Sequence, residues 1–136
     1  MIISDLPVGY YLDDYIASRF IVASRDEHTC AHHLLMVQSL KYLKSKGFAI
    51  FLAPNDLLSS PQSSLLKKWL TQYAQLVAMV TLPEKLFASN KQAKSIFILQ
   101  KQGEKVKEVF VYPFSDLQNQ EALLSFSESF QNWLQN

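Results

Sequence analysis

The residues best placed to do chemistry lie in a short loop near the amino terminus. Asp5 follows a stub of apolar strand, Met1 to Ser4, and Pro7 and Gly9 enforce a loop directly after it. In open α/β sheets, ligands bind beyond the carboxyl ends of the strands, and Asp5 stands at such an end. An aspartate and a proline before an aromatic residue also occur in ordinary turns capped by a carboxylate. Taken alone, the loop favours the ordinary turn.

Alternating strand and helix signals extend over the rest of the chain. Continuous apolar runs predict strands over Phe48 to Ala53, Leu76 to Leu82, Ser95 to Gln100 and Glu108 to Tyr112. Helical periodicity predicts amphipathic helices that begin near Thr29, near Ser60 and near Asp116 or Asn119. Thr29 is predicted to cap the first of these helices. Residues 13–27 show neither period, and we expect a long loop with one helical turn near Tyr15.

The order of these elements predicts an α/β sheet. Strands separated by helices favour parallel pairing. The last two strands flank Gln102-Gly103-Glu104, which predicts a terminal antiparallel β-hairpin at the edge of the sheet. A chain of 136 residues, 49% of them hydrophobic, is long enough for one core and too short for two ordinary domains. We therefore expect residues 1–136 to form a single domain.

Composition limits the classes of function and the compartment. Lys and Arg number 13 against 12 Asp and Glu, so the net charge of +1 gives no electrostatic footprint of a dedicated nucleic-acid binder. Cys30 is the only cysteine and cannot form an internal disulfide, which fits a reducing compartment. No stretch approaches the roughly 20 apolar residues of a membrane span, and the amino terminus lacks a secretion signal. We expect a cytoplasmic protein without a membrane partner.

Several further residues have both a functional and a structural interpretation. His28 and His32 are the only histidine pair at ligand spacing on a helix, and with no third ligand evident we predict no metal site. The histidines are assigned to the surface or to helix packing, and Cys30 to packing. Asn55 follows a strand and either contacts substrate or shapes the turn. Solvated charge rather than phosphate contact is expected for Lys91, Lys94, Lys101, Lys105 and Lys107.

Four segments occur in an order that resembles one enzyme family. They are the loop Asp5-Leu6-Pro7-Val8-Gly9-Tyr10-Tyr11, the helix, glycine, strand and Pro-Asn of residues 40–55, the strand and Leu-Pro-Glu-x-Leu-Phe of residues 76–87, and the late strand of residues 93–101. The first resembles the Asn/Asp-Pro-Pro-Tyr/Phe signature of adenine-specific (N-6) DNA methyltransferases, a class I S-adenosylmethionine-dependent family. The third is similar to the modification subunits of type I restriction systems. The whole loop looks closest to methylase-like proteins of Gram-positive bacteria.

The resemblance implies a fold and a set of site residues. The fold is the C-terminal half of a Rossmann-like methyltransferase sheet. In the family, the first side chain of the signature and the carbonyl of the next residue accept the two amino hydrogens of adenine, which here assigns catalysis to Asp5 and Leu6 with Pro7. Val8 stands where the family has an aromatic residue, so stacking on the flipped base is assigned to Tyr10 or Tyr11. In the family's Pro-Asn, the candidate for substrate contact is Asn55.

The resemblance also implies what the chain lacks. The family's donor, S-adenosylmethionine, is held by a glycine-rich loop and an acidic residue upstream of the signature. Gly9, Gly47 and Gly103 are widely separated, so we expect no donor-binding motif in this chain and poor donor binding by the chain alone. The missing N-terminal half and DNA are the implied partners. A first strand left as an open edge predicts self-association into a homo-oligomer.

Three functions stay open at this point. The leading hypothesis is a part of an adenine methyltransferase that is active only with a donor-binding half. A catalytically degenerate relative would instead keep the fold as a binding or scaffolding module, with Val8 marking relaxed catalytic constraint. Another Rossmann-type enzyme would explain the strand pattern but not the Leu-Pro-Glu segment.

Overall fold

A five-stranded mixed β-sheet forms the centre of the computed structural model, which describes residues 1–135. In chain order the strands are β1 (Ile2–Asp5), β2 (Phe48–Pro54), β3 (Ala74–Thr81), β4 (Lys94–Lys101) and β5 (Phe110–Pro113). Their spatial order is β1-β2-β4-β3-β5. β1 runs parallel to β2 and β5 parallel to β3, whereas β4 lies antiparallel between β2 and β3. The α/β class with parallel and antiparallel strands is confirmed.

The predicted terminal hairpin is wrong, because β4 is a central strand and β5 pairs with β3 instead. The reason lies in the alternation of side chains along β4. Phe97 and Leu99 belong to the core cluster on one face of the sheet, while Ile96 and Ile98 pack against a second cluster on the other face. A strand that is apolar on both faces must be covered on both faces of the sheet.

Helices supply that cover. They are α1 (Asp14–Ala17), α2 (Ala31–Tyr42), α3 (Ser63–Tyr73) and α4 (Gln120–Gln135). α2 and α3 contribute to the larger core cluster with β2 and β4, whereas α4 packs on the second cluster. The second cluster is centred on Phe110 of β5, whose ring centroid lies 5.4 to 6.0 Å from those of Phe126, Phe130 and Trp133. Within residues 1–135, no helix has the length and apolar character needed to cross a membrane.

The helix starts follow local hydrogen bonding. α2 is capped by Cys30 and not, as predicted, by Thr29, because the Thr29 hydroxyl accepts a hydrogen bond from the N–H of Ser24 at 2.9 Å. Of the two alternatives for α4, Asn119 is confirmed, since its side-chain oxygen accepts from two N–H groups of the first turn, at 2.9 and 3.3 Å. The predicted single turn in the loop of residues 13–27 is also confirmed, as α1.

β1 forms one edge of the sheet, with β2 as its neighbour. Ile3 in this strand is 68% exposed. An apolar edge strand offers backbone donors and acceptors to another chain. Self-association through β1 stays a prediction.

Candidate functional site

Three segments meet at the end of the sheet where β1 and β2 have their carboxyl termini. They are the residues after β1, the residues after β2 and the start of β4. β1 ends at Asp5, which lies opposite Leu52, and β2 ends at Pro54. Because β4 runs antiparallel to β2, it begins at this same edge, where Lys94 lies opposite Pro54. The reversed strand therefore brings Lys94 beside residues 5–11, which we call the motif loop.

Lys94 bridges the two oxygen atoms that the resemblance assigns to the target amino group. Its Nζ donates to Asp5 Oδ1 at 2.5 Å and to the backbone carbonyl of Leu6 at 2.7 Å. The Lys94 side chain is 14% exposed and the Asp5 side chain 67%. The carboxylate and the carbonyl thus converge on one nitrogen atom, which in this structure belongs to the chain's own lysine.

The expectation that the lysines around β4 are plain solvated charge is wrong for two of them. Lys94 is held by the motif loop, and Lys101, at the other end of β4, donates to the carbonyls of Lys41 and Leu43 at 3.0 and 2.8 Å. The last carbonyls of a helix lack helical partners, so a cation there stabilises the end of α2. Both contacts depend on the central position of β4, which the predicted hairpin does not allow.

The motif loop is fastened to the segment that precedes α2. Leu6 is buried, and its N–H continues the ladder to β2 with a hydrogen bond of 2.8 Å. Gly9 has a φ of +119°, a conformation that favours glycine, and its carbonyl accepts from the N–H of Ala31 at 2.9 Å. The N–H of Tyr11 donates to the carbonyl of Thr29 at 2.8 Å. These hydrogen bonds tie the loop to the start of α2.

The aromatic side chains of the motif loop face the surface. Tyr10 is 56% exposed and Tyr11 36%, while Val8, at the family's aromatic position, is 48% exposed. Both tyrosine rings are thus accessible to a planar partner. Their role in stacking stays a prediction, as does the role of the exposed Pro7.

Asn55 comes directly after β2 and is tied to the start of β4. Its side-chain oxygen accepts from the hydroxyl of Ser95 at 2.6 Å, and its N–H donates to the carbonyl of Ala93 at 3.1 Å. Ser95 is fully buried, so this pair fixes the turn after β2. These contacts support the turn-shaping role, and contact of Asn55 with substrate stays a prediction.

Gln62 is a positioning residue that the sequence interpretation missed. Its Nε2 donates to the carbonyl of His28 at 2.7 Å, and its Oε1 accepts from the N–H of Cys30 at 3.0 Å. Gln62 is 7% exposed, so both hydrogen bonds are shielded from water. A glutamine before a helix carries no sequence signal for partners 32 and 34 residues away.

Next to the motif loop, Cys30, His32 and His33 cluster at the start of α2. Their candidate ligand atoms lie within 4.8 Å of one another. His32 is 5% exposed and His33 0%, and in the described part of the chain neither ring has a hydrogen bond of good geometry, although the backbone of Pro7 lies close enough to His32 to raise its pKa. Burial agrees with the predicted packing role, but packing leaves these polar atoms unsatisfied. The sequence interpretation missed the cluster because it considered only pairs of histidines and assigned Cys30 separately to packing.

The three histidines differ in pKa because their surroundings differ. The pKa of His33 is lowered to about 4, because its ring is buried and lies beside His32. Burial also lowers the pKa of His32, against the opposing charge of Asp56. The hydrogen bond and the charge of Asp14 instead raise the pKa of the exposed His28. His32 and His33 are therefore neutral in the folded protein near neutral pH.

We expect the free energy of unfolding to fall as the solution is acidified from about pH 7 to about pH 5. The unfolded chain protonates histidine near pH 6.5, whereas folded His33 resists protonation until about pH 4. The stability from neutral His33 is thus full above the unfolded pKa and is lost as the pH falls towards the folded one, by up to about 1.4 kcal/mol per pH unit. Urea unfolding at several pH values measures the slope. His33→Gln is expected to reduce this slope, whereas the exposed His28→Gln is not, because the raised pKa of His28 contributes stability on acidification. A wild-type slope in His33→Gln contradicts the assignment.

The mixed sheet and the position of the motif loop at its carboxyl edge define a methyltransferase fold. The sequence profile of the N-6 DNA methylase family matches residues 11–131. The chain belongs to this family. The match begins at the last residue of the motif loop, so residues 5–10 lie outside it.

Three similar proteins are each much longer than the chain. The uncharacterized protein YtxK of Bacillus subtilis (strain 168) is 37% identical over 135 residues, which are 97% of this chain and 41% of YtxK. A solved structure from Listeria monocytogenes, provisionally assigned as a class I S-adenosylmethionine-dependent methyltransferase, is 33% identical with a TM-score of 0.83, over 96% of this chain and 41% of that one. The modification subunit of a provisionally assigned type I restriction enzyme from Vibrio vulnificus YJ016 shares the fold at 20% identity and a TM-score of 0.66, over 96% and 31% of the two chains. The chain thus spans less than half the length of these relatives.

Proposed function

We propose that the chain is the target-base part of an S-adenosylmethionine-dependent DNA adenine N-6 methyltransferase. The observation that carries the proposal is that one nitrogen, Lys94 Nζ, reaches both the Asp5 carboxylate and the Leu6 carbonyl, at 2.5 and 2.7 Å. An exocyclic amino group has two N–H donors and is held best by two such acceptors. Membership of the N-6 DNA methylase family supports the same class of reaction.

Two hydrogen-bond acceptors can make the amino nitrogen of adenine a better nucleophile. The amino nitrogen of adenine is a weak nucleophile while its lone pair is delocalised into the ring. Hydrogen bonds from the amino group to Asp5 and to the Leu6 carbonyl concentrate electron density on the nitrogen as the new bond forms. S-adenosylmethionine, when bound, supplies the electrophilic methyl group. The methylated nitrogen must then lose a proton, which water can accept because the site beside Asp5 is open to solvent.

Exposed rings of the motif loop suit the placement of the base. A target base must leave the duplex, which costs a few kcal/mol. Stacking on an aromatic ring offsets roughly 1–3 kcal/mol of that cost. Tyr10 and Tyr11 are the exposed rings of the loop, and Pro7 and Gly9 fix its path. Asn55, at the end of the neighbouring strand, is assigned to the rim of the same site.

We further propose that the methyl donor is held by sequence outside this chain. The chain spans 41% of YtxK and of the Listeria structure, and Gly9, Gly47 and Gly103 are too far apart for a glycine-rich nucleotide loop. Residues 1–136 are then one part of a catalytic domain in a cytoplasmic protein, with DNA and the donor-binding half as partners. The chain together with that half is called the complete protein below.

A second candidate function is a catalytically degenerate relative that serves as a binding or scaffolding module. Lys94 favours it, because its ammonium fills both acceptors and its side chain is largely buried. A neutral amino group has to displace this charged partner before it can bind. Val8 in the aromatic position favours the same candidate.

Replacing Lys94 by methionine in the complete protein separates the two candidates. If the ammonium guards an active acceptor pair, its removal is expected to lower the KM for unmethylated DNA about tenfold or more, since a hydrogen bond to a charged group contributes roughly 1.5–3 kcal/mol. The measurement is transfer of labelled methyl groups to N6 of adenine, identified by mass spectrometry. Lys91→Met removes an exposed lysine close by in the sequence and is the matched control. Absence of transfer in both wild type and Lys94→Met supports the scaffolding module instead.

A further inference from the structure

We propose that Cys30, His32 and His33 form a binding site for a divalent transition-metal ion of the zinc class, beside the motif loop. The three residues offer one sulfur and two ring nitrogens, all within 4.8 Å of one another. Zinc takes thiolate sulfur at about 2.3 Å and imidazole nitrogen at about 2.0–2.1 Å in tetrahedral geometry, which places bound donor atoms roughly 3.3–3.6 Å apart. Side-chain rotation that brings the most distant donors up to about 1.5 Å closer gives this geometry.

The unsatisfied ring nitrogens are the observation that points to a ligand. His33 is 0% exposed, and among residues 1–135 nothing donates to or accepts from its ring nitrogens. His32 is 5% exposed, and the backbone of Pro7 lies close enough to its ring to raise its pKa but does not form a hydrogen bond of good geometry. Buried polar atoms in folded proteins nearly always have a partner, because losing water without replacement is costly. A metal ion provides that partner for one nitrogen of each ring.

The charges around the cluster favour a cation on balance. Two positive groups oppose a cation at this position. The N-terminal end of α2 carries partial positive charge, and the Lys94 ammonium lowers the pKa of His32. Against these stand two nearby carboxylates and the negative charge that Cys30 gains when its thiol releases a proton to solvent on binding the metal. After burial, the charges of Asp56 and Glu27 are the main causes that raise the pKa of the Cys30 thiol. Groups that favour a proton at this position also favour a metal cation.

The position of the cluster gives an ion both access and a structural role. Cys30 is half-buried, so an ion can reach the cluster from solvent, and water would supply the fourth ligand. Tyr10 of the motif loop forms a β-bridge with Cys30, and Gly9 accepts from the N–H of Ala31. A bound ion therefore ties the start of α2 to the loop that carries Asp5. This role does not depend on the proposed methyl transfer.

Titration of the chain with Co²⁺ and Zn²⁺ tests the site. We expect Co²⁺ to give a thiolate-to-metal charge-transfer absorption that Zn²⁺ abolishes by displacement. Removing a residue that only hydrogen-bonds to a metal ligand weakens metal binding roughly 10- to 100-fold. Removing a ligand itself, in Cys30→Ser or His33→Gln, is therefore expected to weaken Zn²⁺ binding about 100-fold or more. His28→Gln is the matched control, because that ring is exposed and pairs with Asp14 at 2.9 Å. It should bind Zn²⁺ as the wild type does.

A measurement on the wild type alone covers the case in which a variant fails to fold. Zn²⁺ is expected to slow the alkylation of Cys30 by iodoacetamide, because a coordinated thiolate is shielded. An unchanged alkylation rate, a dissociation constant weaker than about 100 µM, or a charge-transfer band that persists in Cys30→Ser would each overturn the proposal. So would loss of binding in His28→Gln.

Discussion

Replacing Asp5 by alanine in the complete protein is expected to reduce methyl transfer to adenine by about 10²- to 10³-fold, the loss typical of one preorganised hydrogen-bonding group at a reacting centre. The substitution removes one of the two acceptors that converge on Lys94 Nζ and leaves the Leu6 carbonyl. Because the Asp5 side chain is 67% exposed, no core cavity is formed. Initial rates of labelled methyl transfer, at saturating donor, measure the effect.

Two further variants separate the acceptor role from charge and folding. Asp5→Asn keeps a side-chain oxygen at the same place, and we expect it to retain activity within about tenfold of wild type. Asp26→Ala removes an exposed carboxylate from the loop before α2 and is expected to leave the rate unchanged. If Asp5→Ala transfers methyl groups as fast as the wild type, Asp5 does not hold the amino group.

Replacing Phe97 by alanine is expected to lower the free energy of unfolding by about 3–5 kcal/mol. Phe97 is 1% exposed and lies in the middle of β4, opposite Phe51 of β2 and Met79 of β3. Its ring belongs to the larger core cluster that α2 and α3 cover. Since domains of this size are stable by about 5–15 kcal/mol in total, the loss is a large share. Urea unfolding followed by circular dichroism is the measurement.

Phe48→Ala is the matched control for Phe97→Ala. Phe48 begins β2 and is 42% exposed, so its truncation removes less packing, and we expect a loss of about 1 kcal/mol or less. A loss in Phe97→Ala no larger than that in Phe48→Ala contradicts the central position of β4.

The individual strands could be predicted from the sequence, whereas their order could not. The run from Phe48 ends at Pro54 and the run from Leu76 ends before Pro83, and both bounds are close to those of β2 and β3. The step from β4 to β5 looked like a hairpin because the two segments are neighbours around Gly103. Burial on both faces of β4 decides the true order, and this depends on the packing of distant helices.

The candidate site, too, could be predicted from the sequence only in part. The place of Asp5 beyond a strand follows from local sequence, and the structure puts it at the carboxyl edge of the sheet. Its contact with Lys94 joins residues 89 positions apart, and no local pattern specifies it. The approach of Cys30 to His33 was missed for a different reason: Cys30 was assigned to packing and was not considered together with the histidines that follow it.

The most direct test is the structure of the complete protein with a short single-stranded DNA containing adenine and with an unreactive donor analogue. We predict that the adenine amino nitrogen lies about 3 Å from both Asp5 Oδ1 and the Leu6 carbonyl oxygen, with the Lys94 ammonium displaced from this position. An adenine bound elsewhere, while Lys94 keeps its hydrogen bonds of 2.5 and 2.7 Å to the two oxygens, contradicts the proposed function.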